Sequence, residues 1–253
     1  MTDPELLALA ARLARSAAAA ILTIRQAGFA VERKEDYSPV TAADRLAEAV
    51  ITEGLRQFAP DIPVVAEEAV SDGAQLSAAP RYWLVDPLDG TREFAAGRDE
   101  FTVNIGLVEN GVPKLGAVAL PATGELFTGL VGTGAWKEDA GGHRRIQARR
   151  APEEGLVVMA SRHYKDDPKL PAFLEGRKVQ RIVQIGSAVK FCRLAEGVAD
   201  LYPRFGRTME WDTAAPEAVL VAAGGRIARF DGTPLGYGKP GWENPPFLCQ
   251  GAA

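Results

Sequence analysis

The chain has 253 residues, enough for one large or two small domains with a substantial core, and its 47% hydrophobic and 25% charged residues are the balance of a soluble globular protein. A net charge of −4 argues against a nucleic-acid backbone as partner. With only Cys192, Cys249, His143 and His163, a disulfide framework and a His-rich zinc or iron centre are excluded, which leaves 33 acidic residues as the ligand pool and a reducing cytoplasm as the expected setting.

From the N-terminus, Asp3 is placed to cap a helix, Pro4 suits its first position, apolar residues follow at helical spacing to Ile24, and Gly28 stops it. The alanine-rich run 16–22 is too short to span a bilayer and lacks the layout of a signal peptide. Leu46, Val50, Ile51 and Leu55 repeat at helical spacing before Pro60, predicting a second helix over 42–58. Strands are expected at 63–66, 82–85, 101–109, 112–120 and in two runs within 125–137, with Asn110-Gly111 marking a hairpin. The polar stretch between 141 and 152, with Arg144, Arg145, Arg149 and Arg150, reads as a solvated connection. It divides an N-terminal α+β domain (1–145) from a C-terminal α/β domain (146–253), where strands at 156–160, 179–183, 199–202 and 225–228 alternate with helix-like stretches.

The most informative segment is 82–94, Tyr-Trp-Leu-Val-Asp-Pro-Leu-Asp-Gly-Thr-Arg-Glu-Phe: an apolar strand ending in a turn that carries Asp86 and Asp89. Their carboxylates are hard oxygen ligands suited to Mg2+; Pro87 fixes the backbone between them and Gly90 permits a tight reversal. Glu67-Glu68 closes the run Val64-Val65-Ala66, so two neighbouring strands in the same direction would bring both acidic clusters to one sheet edge. Asp212 is expected to cap a helix over 213–223, its carboxylate near the preceding loop. Taken singly, Glu67-Glu68 is a solvated strand end and Asp212 a cap; together with the Asp86 turn they point to divalent-metal chemistry.

Asp86-Pro87-Leu88-Asp89-Gly90-Thr91, preceded by Val40-Thr41-Ala42-Ala43-Asp44 and Glu67-Glu68 and followed by Trp211-Asp212, resembles the inositol monophosphatase superfamily of Mg2+-dependent, lithium-sensitive phosphatases. The motifs stand in the family's order and cover nearly the whole chain. The resemblance implies a layered α-β-α-β-α sandwich of the inositol monophosphatase and fructose-1,6-bisphosphatase type, two or three Mg2+ ions per site, and inhibition by Li+. It implies Glu67, Asp86 and the Leu88 carbonyl on one ion, and Asp86, Asp89 and Asp212 on a second about 4 Å away, a separation suited to two-metal phosphoryl transfer. Thr91, oriented by Asp44, would position the attacking water, and Glu67 would help to accept its proton.

Within the superfamily, Arg92-Glu93-Phe94 is similar to the Lys-Glu-Phe of the 3'(2'),5'-bisphosphate nucleotidases of sulfate assimilation, where inositol-type enzymes carry Thr-Asn-Phe. Gly186-Ser187-Ala188-Val189-Lys190-Phe191-Cys192 and Ala199-Asp200-Leu201-Tyr202-Pro203-Arg204 also resemble nucleotidase segments that touch substrate. The implied reaction removes the 3'-phosphate of adenosine 3',5'-bisphosphate to give AMP. The implied contacts are Glu67, Leu88, Asp89, Gly90, Thr91 and Asp212 around the scissile phosphate, with Lys190, Ser187 and Arg204 at the second phosphate and His163 on the nucleotide. Tyr202 and Phe205 read as core. The alternatives are an inositol or sugar-phosphate phosphatase on the same scaffold, or a non-catalytic metal-binding interaction protein. The expected molecule is a monomer or homodimer in the cytoplasm, or peripheral at the inner face of the cell membrane, with no transmembrane segment.

Overall fold

The structure, a computed structural model, describes residues 1–34, 39–162 and 168–253. The contact expected of His163 lies outside them.

Helix α1 (Asp3–Ala27) is capped one residue earlier than expected. Thr2, not Asp3, is the capping residue, because Thr2 and Glu5 have the spacing of a capping box and the Thr2 amide donates to the Glu5 carboxylate at 2.7 Å. A short pair, β1 (Val31–Arg33) and β2 (Pro39–Thr41), leads into α2 (Ala42–Phe58), whose boundaries are as predicted. Its inward stripe is Ala43, Ala47, Ile51 and Leu55, while Leu46 is 42% exposed, so the small alanines let α2 lie close to its neighbours. By length and composition α1 could cross a membrane, but Leu6, Leu9, Leu13, Ala17 and Ile21 are buried in the core. That stripe removes any support from this helix for a membrane-peripheral position.

Both helices cover one face of a seven-stranded sheet in the order β3 (Val64–Ala66), β4 (Arg81–Asp89), β5 (Thr102–Glu109), β6 (Val112–Leu120), β7 (Glu125–Leu130), β8 (Gly134–Asp139), β9 (Gly142–Ile146). Only β3 and β4 run parallel; the other neighbours are antiparallel. Asn110 and Gly111, both at positive φ, turn the β5–β6 hairpin as expected. The Arg-rich stretch is solvated as expected, but its first part is strand β9 rather than a connection. Arg144, on β9, pairs with Asp139 of β8, and Arg149 makes a two-pronged pair with the buried Asp200 at 2.7 and 3.0 Å.

The second sheet has the order β11 (Val179–Ile185), β10 (Leu156–Ser161), β12 (Leu201–Arg204), β16 (Phe247–Gln250), β14 (Arg226–Arg229), and β13 (Thr208–Met209) pairs separately with β15 (Glu243–Asn244). Strand β16 escapes sequence reading because four residues after Pro245-Pro246 carry no measurable periodicity. Between the sheets lie α6 (Val189–Ala195) and α7 (Glu210–Ala222), and α5 (Lys169–Leu174) packs on the far side, completing the expected α-β-α-β-α layering.

Helix α7 meets the first sheet along a glycine track. Gly106, Gly116 and Gly129 are cross-strand neighbours on β5, β6 and β7. A Cβ would stand 2.7 Å from the Ala215 nitrogen at Gly106, 2.6 Å from Val219 Cα at Gly129, and closer still to the Ala215 carbonyl oxygen at Gly116. The helix therefore rests on the sheet backbone itself, and this seats its first turn.

Candidate active site

The parallel register Val64↔Trp83, Val65↔Leu84, Ala66↔Val85 carries both chains to the same edge, so Glu67 and Asp86 emerge side by side. Glu67 and Glu68 start a short helix, α3 (Glu67–Ser71), rather than ending free in solvent. The Glu48 carboxylate of α2 accepts the Glu68 and Ala69 amides at 2.8 and 3.0 Å, and Lys34 pairs with Glu67 at 2.9 Å and Glu68 at 2.7 Å.

The expected Asp86 turn is instead a bulged strand. Residues three apart on a regular strand point to opposite faces. Between Asp86↔Asn104 and Asp89↔Thr102, β4 holds one residue more than β5, and this extra residue restores the parity. Val85 and Leu88 thus share the helix-covered core, while Asp86 and Asp89 share the opposite face. Gly90, at φ +95°, then reverses the chain into α4 (Thr91–Ala95); a Cβ there would meet the Glu100 carbonyl at 3.0 Å.

Asp212 lies inside α7, in its third position, rather than capping it. Its carboxylate turns back to accept the Met209 amide at 2.9 Å, which aims it off the helix end. Glu67, Asp86 and Asp212 thereby bring one oxygen each within 4.8 Å of one another. Asp89 stands outside that trio but in the same cleft, with the Thr102 hydroxyl 3.5 Å from its carboxylate.

Burial, followed by repulsion from Glu67, Asp89 and Asp212, pushes the Asp86 carboxyl well above its usual range. Burial and the charges of Asp89 and Glu67 push Asp212 up to about 8. Burial also raises Asp89, to about 6, against the opposing pull of Lys190 and the Ala188 amide. Crowded, desolvated carboxylates of this kind call for a positive charge among them, and an all-oxygen donor set fits a hard divalent cation. The trio and its setting therefore form an acidic cluster that could hold a metal ion.

Thr91 is held as expected: its hydroxyl lies 2.9 Å from the buried Asp44 carboxylate and 3.1 Å from the Leu88 carbonyl. Asp44 itself accepts the Thr41 amide and hydroxyl, both at 2.7 Å. Leu88 is buried with Asp86, whose carboxylate accepts the Leu88 amide at 3.0 Å.

The cleft, of about 230 Å3, opens above these groups and is lined from the first half by Glu67, Asp89, Gly90 and Thr91 and from the second by Ser187, Lys190, Arg204 and Asp212. Arg92 and Glu93 also line it, Glu93 lying so close to Gly186 that a Cβ there would fall 2.6 Å from its carboxyl carbon. Lys190 is buried, donates to the Ile185 and Ser187 carbonyls, and sits 5.2 Å from the Tyr202 ring centroid. Desolvation brings its pKa down to about 8 although Asp89 opposes this. Ser187 takes a positive φ of 48°, so its backbone carbonyl, not its hydroxyl, serves Lys190. The Arg204 guanidinium donates to the Gly206 and Arg207 carbonyls at 3.1 and 2.7 Å. Tyr202 is core, as expected, and also a wall of the cleft; Phe205 stacks on Phe230 at 5.0 Å. Sequence reasoning passed over Lys34, Glu48, Thr102 and Asn104. The signal available for the last two was two polar residues at alternate positions of an otherwise apolar strand.

The chain belongs to the inositol monophosphatase family, whose model matches residues 3–247. Within that family it is 45% identical to the 3'(2'),5'-bisphosphate nucleotidase CysQ of Salmonella typhimurium over 239 residues, 93% of this chain and 96% of that one. It is 41% identical to the CysQ of Buchnera aphidicola, over 89% of this chain and 85% of that one. Among solved structures, CysQ from Bacteroides thetaiotaomicron superposes with a TM-score of 0.83 at 33% identity over 98% of both chains. The inositol monophosphatase from Anabaena gives 0.77 at 28% identity over 98% of this chain and 91% of its own.

Proposed function

We propose that this chain hydrolyses the 3'-phosphate of adenosine 3',5'-bisphosphate, giving AMP and phosphate, with Mg2+ as cofactor and as part of sulfate assimilation. The observation that carries the reading is one cleft in which carboxylates from both halves converge, with two cations, Lys190 and Arg204, beside them. The high identity to bisphosphate nucleotidases supports the substrate over an inositol phosphate. Li+ inhibition is part of the same reading.

Glu67, Asp86, the Leu88 carbonyl, Asp89 and Asp212 would hold the metal ions, which supply charge neutralisation at the phosphate and a more acidic water. Thr91 orients that water through its hydroxyl. Because Asp44 and the Leu88 carbonyl both lie within hydrogen-bonding reach of this hydroxyl, its proton is committed to one of them and its lone pairs are directed at the cleft. Glu67, at the cleft edge, would be the carboxylate to accept the proton of that water. Asp212 and Asp89 carry ligand oxygens from opposite walls, so the phosphate binds where the halves meet. Gly90 and Thr91 offer amides to it, and Lys190, Ser187 and Arg204 face the second phosphate.

Steady-state rates with adenosine 3',5'-bisphosphate, inositol 1-phosphate and fructose 1,6-bisphosphate test the reading. We expect kcat/KM to be highest for the nucleotide; a preference for inositol 1-phosphate overturns the substrate assignment. Mg2+ uptake with no phosphate release from any of the three supports the non-catalytic alternative instead.

A further inference from the structure

Strand β5 is apolar over most of its length, yet Thr102 and Asn104 sit directly across from Asp89 and Asp86 and are both fully buried. Directly opposed residues of an antiparallel pair project to the same face with Cβ atoms about 5 Å apart. The Thr102 hydroxyl already lies near Asp89. Asn104 is the more demanding case: among the described residues, neither its Nδ2 nor its Oδ1 has a hydrogen-bond partner. A buried amide left so is destabilising and uncommon in a native fold.

Its surroundings narrow what the amide can serve. Asn104 lies two residues before Gly106, on the face that receives α7, and Gly106 abuts Ala214 and Ala215. Asp212, one turn nearer the start of α7, is within reach of Asp86. The cross-strand neighbour of Asn104 on its other side is the apolar Val118, so Asp86 is its polar neighbour across the strands. Asp86 takes the Leu88 amide on Oδ1, which leaves Oδ2 to be oriented by another donor or by a cation.

We propose that Asn104 is a positioning residue for Asp86, its side-chain amide serving that carboxylate across the β4–β5 pair through one bridging water, and so presetting the cation site. The proposal rests on the metal-binding reading above. Outer partners of a ligand carboxylate commonly contribute 10- to 100-fold in metal affinity. An apolar residue of similar shape would remove the amide without opening space.

The test is calorimetric titration of the metal-free protein with Mg2+, alongside its thermal unfolding. For Asn104→Leu we expect the Mg2+ dissociation constant to rise about 10-fold or more while the metal-free unfolding temperature stays level or climbs, and for Asn104→Ser, which retains a donor, affinity within about 3-fold of wild type. Should the leucine variant fail to fold, Asn104→Ala carries the same affinity expectation. A folded Asn104→Leu or Asn104→Ala protein that binds Mg2+ as tightly as wild type overturns the inference. So does a loss of affinity that merely tracks a loss of stability in every variant, because that is the mark of a packing role. Wild-type protein that takes up no Mg2+ overturns the cation reading and this one with it.

Discussion

At the scale of single residues, the acidic cluster is an arrangement the fold tolerates rather than gains from. Asp86, Asp89 and Asp212 are desolvated and repel each other, and their raised pKa values record both effects. Replacing one by its amide removes repulsion and leaves shape almost unchanged. Asp89→Asn and Asp212→Asn are therefore expected to lose at least about 100-fold in kcat at saturating Mg2+ while the metal-free unfolding temperature holds or rises. Near-normal turnover in either variant contradicts the two-metal assignment. The chemical types were legible at this scale, since Glu67, Asp86, Asp89, Thr91 and Asp212 all line or underlie one cleft. Their local geometry was not: the Asp86 turn is a bulge, and Asp212 is a third-position residue rather than a cap, because both depend on what the neighbouring strand or loop does.

Among the elements, α7 does most to join the two halves. It carries Asp212 at one end and lies on the Gly106, Gly116 and Gly129 backbones of the first sheet. Gly116→Ala puts a methyl against the Ala215 carbonyl, with backbone on both sides and no flexible side chain to yield. We expect about 3 kcal/mol of destabilisation in urea unfolding and a matching drop in activity as Asp212 moves away from Asp86. An alanine variant of wild-type stability would show that the helix can lift without cost. The glycines are plain in the sequence, but each stands on a separate strand, and their alignment exists only once the β5–β6–β7 register is set. Helix α2, by contrast, is bounded correctly by its local apolar repeat and Pro60, and the structure adds a Thr41–Asp44 capping box at its start.

For the molecule as a whole, buried acids outside the cleft tie stability to pH. Glu217 of α7 accepts the Tyr237 hydroxyl at 2.6 Å, and burial pushes its carboxyl up to about 7. A folded-state value above the unfolded one near 4.5 means that the folded form holds the proton more tightly. This contribution is complete below about pH 4.5 and is lost as pH rises through 7. Glu217→Gln keeps an acceptor for Tyr237 but cannot ionise. Its unfolding temperature should exceed that of wild type at pH 8 and match it at pH 5; an equal difference at both pH values would rule out ionisation as the cause.

By itself, the sequence determined the strand and helix order through most of the chain and the identity of the acids, while the layering was what the family resemblance implied. Periodicity and a compact Asp-Pro-Leu-Asp-Gly-Thr motif are local properties, encoded within a few residues. The tertiary structure alone decided that β3 runs parallel to β4, so that Glu67 meets Asp86, and that a row of glycines seats α7, so that Asp212 meets both. It likewise placed Asn104 opposite Asp86. Those are contacts between segments far apart in the chain, set by pairing register and close packing, and no short stretch of residues contains them.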